Sequence, residues 1–331
     1  MSQYLLLKKL TVQNANAIAG LTYGFPAMTN FLGFVHALSR KLPQALNVSL
    51  DGVVVISHKN IVHARQPKGW GDYVFALSRN PLTQQGNTAP INEEGRMNMQ
   101  VSLLIELHGL QAGDLATSEA LIANVEQIVP TLRLAGGQII DHDKIELTPL
   151  NEEQKTLRKL MPGFALVDRS DYLSECFDKL KNDKASLLDA WCDFALLKYK
   201  AEEIESGADL SKGDGTKGEQ SEDDKKPKAN WRYVPKPREG YLVPINTGYC
   251  AISPVYEQGQ VANVRDPNVP VVFAESAYSI GEWKSVHGLE NIASALWRYE
   301  HKHPWYVAKS TPFAQDLIEP DGFDENSIMT F

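Results

Sequence analysis

Residues 97–108 read MNMQVSLLIELH. Met97, Met99, Val101, Leu103, Ile105 and Leu107 alternate with Asn98, Gln100, Ser102, Glu106 and His108. A period of two puts the first set on one face and the second on the other, so the run is expected to be a half-buried β-strand. On its N-terminal side lie two further strands. Residues 4–13 (YLLLKKLTVQ) are rich in apolar side chains, and 48–57 (VSLDGVVVIS) run on towards His63. Between them Thr29 is the expected N-cap of a helix over about 29–42, with Phe31, Phe34, Val35, Leu38 and Leu42 at helical spacing. On the C-terminal side Thr117 is the expected cap of a second helix, with Leu121, Ile122, Val125 and Ile128 inward, stopped at Pro130. A fourth strand, broken at Gly136-Gly137, covers about 131–140.

The order is βαββαβ, so the expected fold class is α+β: a ferredoxin-like, RNA-recognition-like palm over 1–150. The third strand carries no alternating aromatics, so base stacking on the sheet face is not expected. Topology alone carries little functional weight, because many such domains bind no nucleic acid. One feature departs from the simple pattern. Residues 64–96, 33 in number, separate the second and third strands. A hairpin needs roughly two to five. The insert has its own apolar run, Tyr73 to Leu77, and carries Arg65, Lys68, Trp70, Arg79, Asn80 and Arg96. Two readings stand side by side: an arm that reaches across RNA, or a surface hairpin that packs Trp70 on its own base.

The second half, 151–331, reads as a helical and β elaboration packed on the palm. Residues 160–167 (LMPGFALV) look like a buried strand. Helices are expected over 171–181 and 185–204, the latter with Leu187, Leu188, Trp191, Phe194 and Ala195 inward, and over 288–300 with Ile292, Ala293, Leu296 and Trp297. Residues 206–230 hold no large apolar residue except Leu210 and read as a disordered linker that interrupts the fold.

The chain has 331 residues, 43% hydrophobic and 22% charged, ordinary for a soluble globular protein. Cys176, Cys192 and Cys250 are scattered, which argues against a disulfide framework or zinc ribbon and suits a reducing, cytoplasmic compartment. The four hydrophobic residues before Lys8 are too few for a signal-peptide core, and no apolar run reaches the roughly 18 residues of a membrane span. Net charge is -8, yet residues 1–100 hold nine Lys and Arg against four Asp and Glu, a local balance of +5. Such a field binds phosphate even within an acidic chain. An uneven solvated surface explains the same count.

No phosphate loop, dinucleotide fingerprint, metalloprotease helix, paired-cysteine motif or nucleophile elbow occurs, and no cofactor or metal is expected. Asp141-His142-Asp143 offers metal ligands or a polar turn, and His301 and His303 fall just past the expected helix end, where cations suit the helix dipole. Asn14 and Asn16 are candidate readers of base edges or of the ribose hydroxyl, and are also routine loop formers. Tyr23 and Phe25, beside Gly24 and Pro26, are candidate base stackers; Phe25 equally suits a staple at the helix start. His36 and Arg40, one turn apart on the polar helix face, are candidate RNA contacts.

In combination, several strings resemble the family of second Csy subunits of type I-F CRISPR surveillance complexes, in the Cas-five group. They include Gln13-Asn14-Ala15-Asn16, Gly24-Phe25-Pro26, Gly33 to Leu38, Arg79-Asn80-Pro81-Leu82, Glu93-Glu94-Gly95-Arg96, Arg133 to Gly137, Pro162 to Val167 and Gly281-Glu282-Trp283. The resemblance spreads over most of the chain, with 202–230 outside it. It implies a subunit that pairs with the large subunit, holds the 5′ handle of the CRISPR RNA, and meets target DNA only through the complex. It also implies that the arm packs against the adjacent backbone subunit and the RNA. On that reading Arg133, Gly136 and Gly137 join the RNA-binding set, the glycines permitting close backbone approach. Two alternatives remain open: a metal-independent endoribonuclease built on Tyr23, His36 and Lys41, and an assembly protein without direct RNA contact.

Overall fold

The structure is a computed structural model and describes residues 3–111, 113–148, 152–180, 184–203 and 229–310. The first half contains β1 (Gln3–Asn16), β2 (Ile18–Ala19), β3 (Thr22–Tyr23), α1 (Met28–Lys41), β4 (Ser49–Val62), β5 (Ala64–Arg65), β6 (Val74–Arg79), β7 (Ile91–Glu94), β8 (Arg96–His108), α2 (Leu115–Ile128), β9 (Arg133–Leu134), β10 (Gly137–Asp141) and β11 (Lys144–Leu147). The second half adds α3 (Glu153–Lys159), β12 (Phe164–Asp168), α4 (Ser170–Leu180), α5 (Leu187–Ala195), β13 (Lys198–Glu203), β14 (Ala229–Val234), β15 (Leu242–Ala251), β16 (Ala274–Ser285), β17 (Arg298–Lys302) and β18 (Trp305–Lys309). The class is α+β. The main sheet runs β17-β18-β15-β16-β12-β4-β8-β1-β10-β9, with β11 also on β1, and its described pairs are antiparallel.

The α1 stripe explains one face of this sheet. Phe31, Phe34, Val35 and Leu38 pack with Leu5, Leu7, Val53, Val55, Met97, Met99, Val101, Leu103 and Ile105. The 97–108 strand is nonetheless more than half-buried: Ser102, Leu104 and Glu106 on its other face are also buried. There Tyr4, Leu6, Val54, Ile56 and Leu104 form a second core with Leu157, Leu160, Val286, Leu289, Ile292 and Leu296 from the second half. A third cluster seats Trp191 and Phe194 of α5 and Leu173 of α4 on Leu242 and Ile280.

Several local expectations are corrected. Ala27, not Thr29, is the N-cap of α1, and no side chain caps it. Asp114 caps α2, its Oδ1 accepting from the Thr117 N–H at 3.0 Å. The helix expected over 185–204 stops at Ala195, and Leu187 and Leu188 are exposed. Residues 198–203 instead pair with β14, which supplies the backbone hydrogen bonds a helix would have supplied. The helix expected over 288–300 is two short turns followed by β17. Trp297 exchanges backbone hydrogen bonds with Val53, each 2.9 Å, and its Nε1 donates to the Leu166 carbonyl at 2.8 Å. His301 therefore lies in a strand and His303 in the turn after it. The expected linker 206–230 lies outside the described residues except 229 and 230, which open β14. No helix among the described residues is long and apolar enough to cross a membrane.

Candidate nucleic-acid interface

β1 ends in an irregularity. Its pairing with β8 skips between Val12 and Ala15, and Asn14 adopts the left-handed φ of 55°. Asn tolerates that conformation better than most residues. The Asn14 N–H donates to Asn98 Oδ1 at 3.1 Å, and its carbonyl accepts from Arg96 Nη1 at 3.5 Å. Its own amide is exposed. Arg96 Nε also meets Glu94 Oε2 at 3.2 Å, and hydrogen bonds from Arg96 and Ser78 hold that carboxyl below its usual range. Asn16 has a different job. Its Nδ2 donates to the Ile18 carbonyl at 2.7 Å, and its Oδ1 accepts from the Ile18 N–H at 3.2 Å. The amide is closed on its own loop and shapes it.

The β9–β10 hairpin joins this cluster, since the Asn16 N–H donates to the Ala135 carbonyl at 2.8 Å. Arg133 is exposed, with Nη1 3.4 Å from the Gly136 carbonyl. Gly136 needs its φ of 74° for the turn and has open space around it. Gly137 permits a close approach to β1, where a Cβ would lie 2.7 Å from the Gln13 carbonyl oxygen and 2.8 Å from Ala15 Cα.

The 64–96 insert, the expected arm, carries a small sheet of its own. β6 pairs with β5 and β7, apart from the main sheet. Its attachment runs through Ala17 N–H to the Gly95 carbonyl (2.9 Å) and His63 N–H to the Arg96 carbonyl (2.8 Å). Tyr23, 72% exposed, also meets Phe75 edge-on at 5.8 Å. Arg65, Lys68, Trp70, Arg79 and Asn80 are all exposed. Trp70 is 72% exposed and carries Lys68 Nζ 5.7 Å from its ring centroid, so it is not packed on the arm's base.

Asn14, Asn16, Tyr23, Arg96, Arg133, Gly136 and Gly137 thus converge at one end of the sheet, beside the arm. Phe25 does not present its ring there. It stacks on Phe31 at 5.4 Å and meets Trp283 edge-on at 4.8 Å, the staple alternative. His36 and Arg40 lie on the exposed face of α1, roughly two and three turns from its start. Asp141-His142-Asp143 is a turn: the His142 N–H donates to Asp141 Oδ1, and Asp143 pairs with Lys8 at 2.8 Å. Asp51, Glu106 and His108 bring ligand atoms within 4.8 Å of one another, but both Glu106 oxygens are engaged by Arg298 at 2.7 and 2.8 Å. That group is an ion-pair joint between β8 and β17.

Sequence reasoning missed a neighbouring surface. On the sheet face away from α1, Thr11, Gln13, Lys59, Ile61, Asn98 and Gln100, together with Val12 and Met99 of the same strands, line a shallow depression of about 260 Å³. The signal is present in the polar half of the 97–108 alternation, Asn98 and Gln100.

The sequence model of the family described as "CRISPR-associated protein (Cas_Csy2)" matches residues 5–307. A Pseudomonas aeruginosa (strain UCBPP-PA14) protein named "CRISPR-associated protein Csy2" is 36% identical over 318 residues, 91% of this chain and 92% of that relative. The match spans the sheet, the arm and the second half alike, and the chain belongs to the Csy2 family of CRISPR-associated proteins.

Proposed function

We propose that the chain is a non-catalytic subunit of a CRISPR RNA-guided surveillance complex. In this reading it pairs with the large subunit and holds the 5′ handle of the CRISPR RNA. The arm meets the adjacent backbone subunit, and target DNA is engaged indirectly, by pairing with the guide. The observation that carries this is the convergence of Asn14, Arg96, Arg133 and Tyr23 at the base of an arm whose Arg65, Lys68, Trp70 and Arg79 are exposed. Cations anchor phosphates, while amides and backbone groups contact splayed bases. The four strands β4-β8-β1-β10, joined through α1 and α2, have the order and antiparallel sense of a ferredoxin-like palm, which supports an RNA-recognition-like reading.

A nuclease triad of Tyr23, His36 and Lys41 has little support. His36 and Lys41 are five residues apart on α1, hence about 140° apart around it. Lys41 Nζ donates to Thr131 Oγ1, and Tyr23 turns to Phe75. The test is co-purification with the large subunit and a labelled CRISPR RNA, followed by handle-binding titrations across salt. Arg79→Ala and Arg96→Ala are each expected to weaken binding and flatten the salt slope by about one unit. Unchanged binding at every salt concentration would favour an assembly role without RNA contact. Specific cleavage of repeat RNA, lost in His36→Ala, would overturn the non-catalytic reading.

A further inference from the structure

The second half covers only part of the sheet face that turns away from α1. The covered part is the second core, around Leu6, Val54, Ile56 and Leu104. Its margin is the pair His58 and Ser102, joined at 2.7 Å, with His58 also 2.8 Å from the Pro162 carbonyl. Beyond this margin no described residue covers the face until Asn14 and Arg96 begin the arm's base. The strand register arranges the bare part in two rows. Thr11, Gln100 and Lys59 stand opposite one another across β1, β8 and β4, and Asn98 and Ile61 stand opposite one another in the next row, with Gln13 beside the bulge.

We infer that this bare half-face is a binding site for an unpaired nucleobase of single-stranded RNA, held by its edge between Gln13, Asn98 and Gln100, with Lys59 on the adjoining phosphate. The inference rests on the proposed function and names a further site for the same ligand. Four features favour this occupant. First, the amides are available: Asn98 Oδ1 accepts from Asn14, which leaves Nδ2 to donate, and the Gln13 and Gln100 side chains make no hydrogen bond among the described residues. Each glutamine presents a donor and an acceptor, as a base edge does. Second, the depression is smaller than the roughly 300–1,000 Å³ of a drug-sized site, which suits one flat ring against Ile61, 48% exposed. Third, no carboxylate is among the eight lining residues, while Lys59 is. Of the nearby acids, Asp143 is paired with Lys8 and Glu94 with Arg96, while Asp141, opposite Thr11 on β10, keeps its charge at the rim, its Oδ1 accepting from the His142 N–H. Fourth, the site is continuous with the Asn14–Arg96 cluster, so one strand of RNA passes from one to the other. The absent aromatics fit recognition by edges rather than by stacking.

The experiment uses the complex with the large subunit and a panel of CRISPR RNAs, each with one handle nucleotide made abasic. Gln13→Leu and Gln100→Leu keep size, and both side chains are at least partly exposed, so the fold is retained; thermal melting checks this. Wild type is expected to lose roughly tenfold in affinity at one abasic position. Each variant is expected to lose a similar factor on intact RNA, with no further loss at that same position, the signature of a shared contact. Lys59→Ala is expected to weaken all RNAs alike and reduce the salt slope by about one unit. Variants that bind the whole panel as wild type does overturn the site while leaving the handle-binding reading intact. Loss of the large subunit, with RNA affinity preserved, makes the face a protein interface and also overturns it. If RNA does not crosslink to this chain in the wild-type complex, the proposed function falls, and the site with it.

Discussion

His58 shows how one side chain can tie the two halves together and respond to pH. Its Nδ1 lies 2.8 Å from the Pro162 carbonyl, which can only accept, so Nδ1 carries the proton and donates. Nε2 then accepts from the Ser102 hydroxyl at 2.7 Å, and Ser102 Oγ accepts from the Lys9 N–H at 2.9 Å. The network suits a neutral ring. Burial lowers its pKa below the ordinary 6.5, with the charges of Lys9 and Lys8 adding to this, against the Pro162 hydrogen bond that raises it. The unfolded chain therefore takes up the proton first as pH falls. The stability contribution is complete above about 6.5 and is lost as pH drops below that towards the lower folded value. The melting temperature should fall across this window in the wild type and less in His58→Gln; parallel profiles would refute it. Arg298 supplies a second case. Burial of Glu106 pushes its carboxyl upward, but the two Arg298 hydrogen bonds and the charge outweigh this and hold it below its usual range. Arg298→Ala strands a carboxylate whose residue is 3% exposed, at an expected cost of about 3 kcal/mol. Glu106→Leu added to Arg298→Ala should recover most of that in a denaturant titration.

At the scale of elements, the sequence is legible where the pattern is local. β1, β4 and β8 are apolar runs of strand length, and α1 has a complete apolar stripe. The helix expected over 288–300 failed because Ile292, Leu296 and Trp297 have helical spacing for another reason: Ile292 and Leu296 fill the second core, and Trp297 bridges to Val53 more than 240 positions away in the chain. Spacing cannot report a partner so distant. The site was legible in part. Asn14 and Arg96 were named, but Asn16 and Asn14 are the same residue type, and only the fold closes one amide on Ile18 and leaves the other exposed. The arm, by contrast, was visible as sheer length. It forms its own small sheet, so its removal should spare the body. Replacing 66–93 with a short Gly-Ser turn is expected to change unfolding free energy by less than about 1 kcal/mol. Association with handle RNA and the neighbouring subunit should drop severalfold in the same protein. A large loss of stability would mean that the arm is part of the core.

For the whole molecule, the sequence suggested a palm with an added second half, and the packing makes the two interdependent. Leu6, Val54, Ile56 and Leu104 belong to strands of the first half, yet their cover comes from Leu157, Leu160, Val286, Leu289 and Ile292. Trp297 and Ala308 likewise enter the core beneath α1. Burying each such side chain contributes about 1.5–3 kcal/mol, so baring four at once removes an amount comparable to the 5–15 kcal/mol stability of a typical domain. A fragment ending at residue 148 should therefore fail to fold cooperatively, with strong binding of a hydrophobic dye and no sharp melting transition. Supplying residues 152–310 by co-expression should restore a soluble, sharply melting pair, because the sheet closes through β4 and β12 without a covalent link. If the fragment alone melts as one cooperative unit, the first half is an autonomous domain and the second half is only an attachment to it.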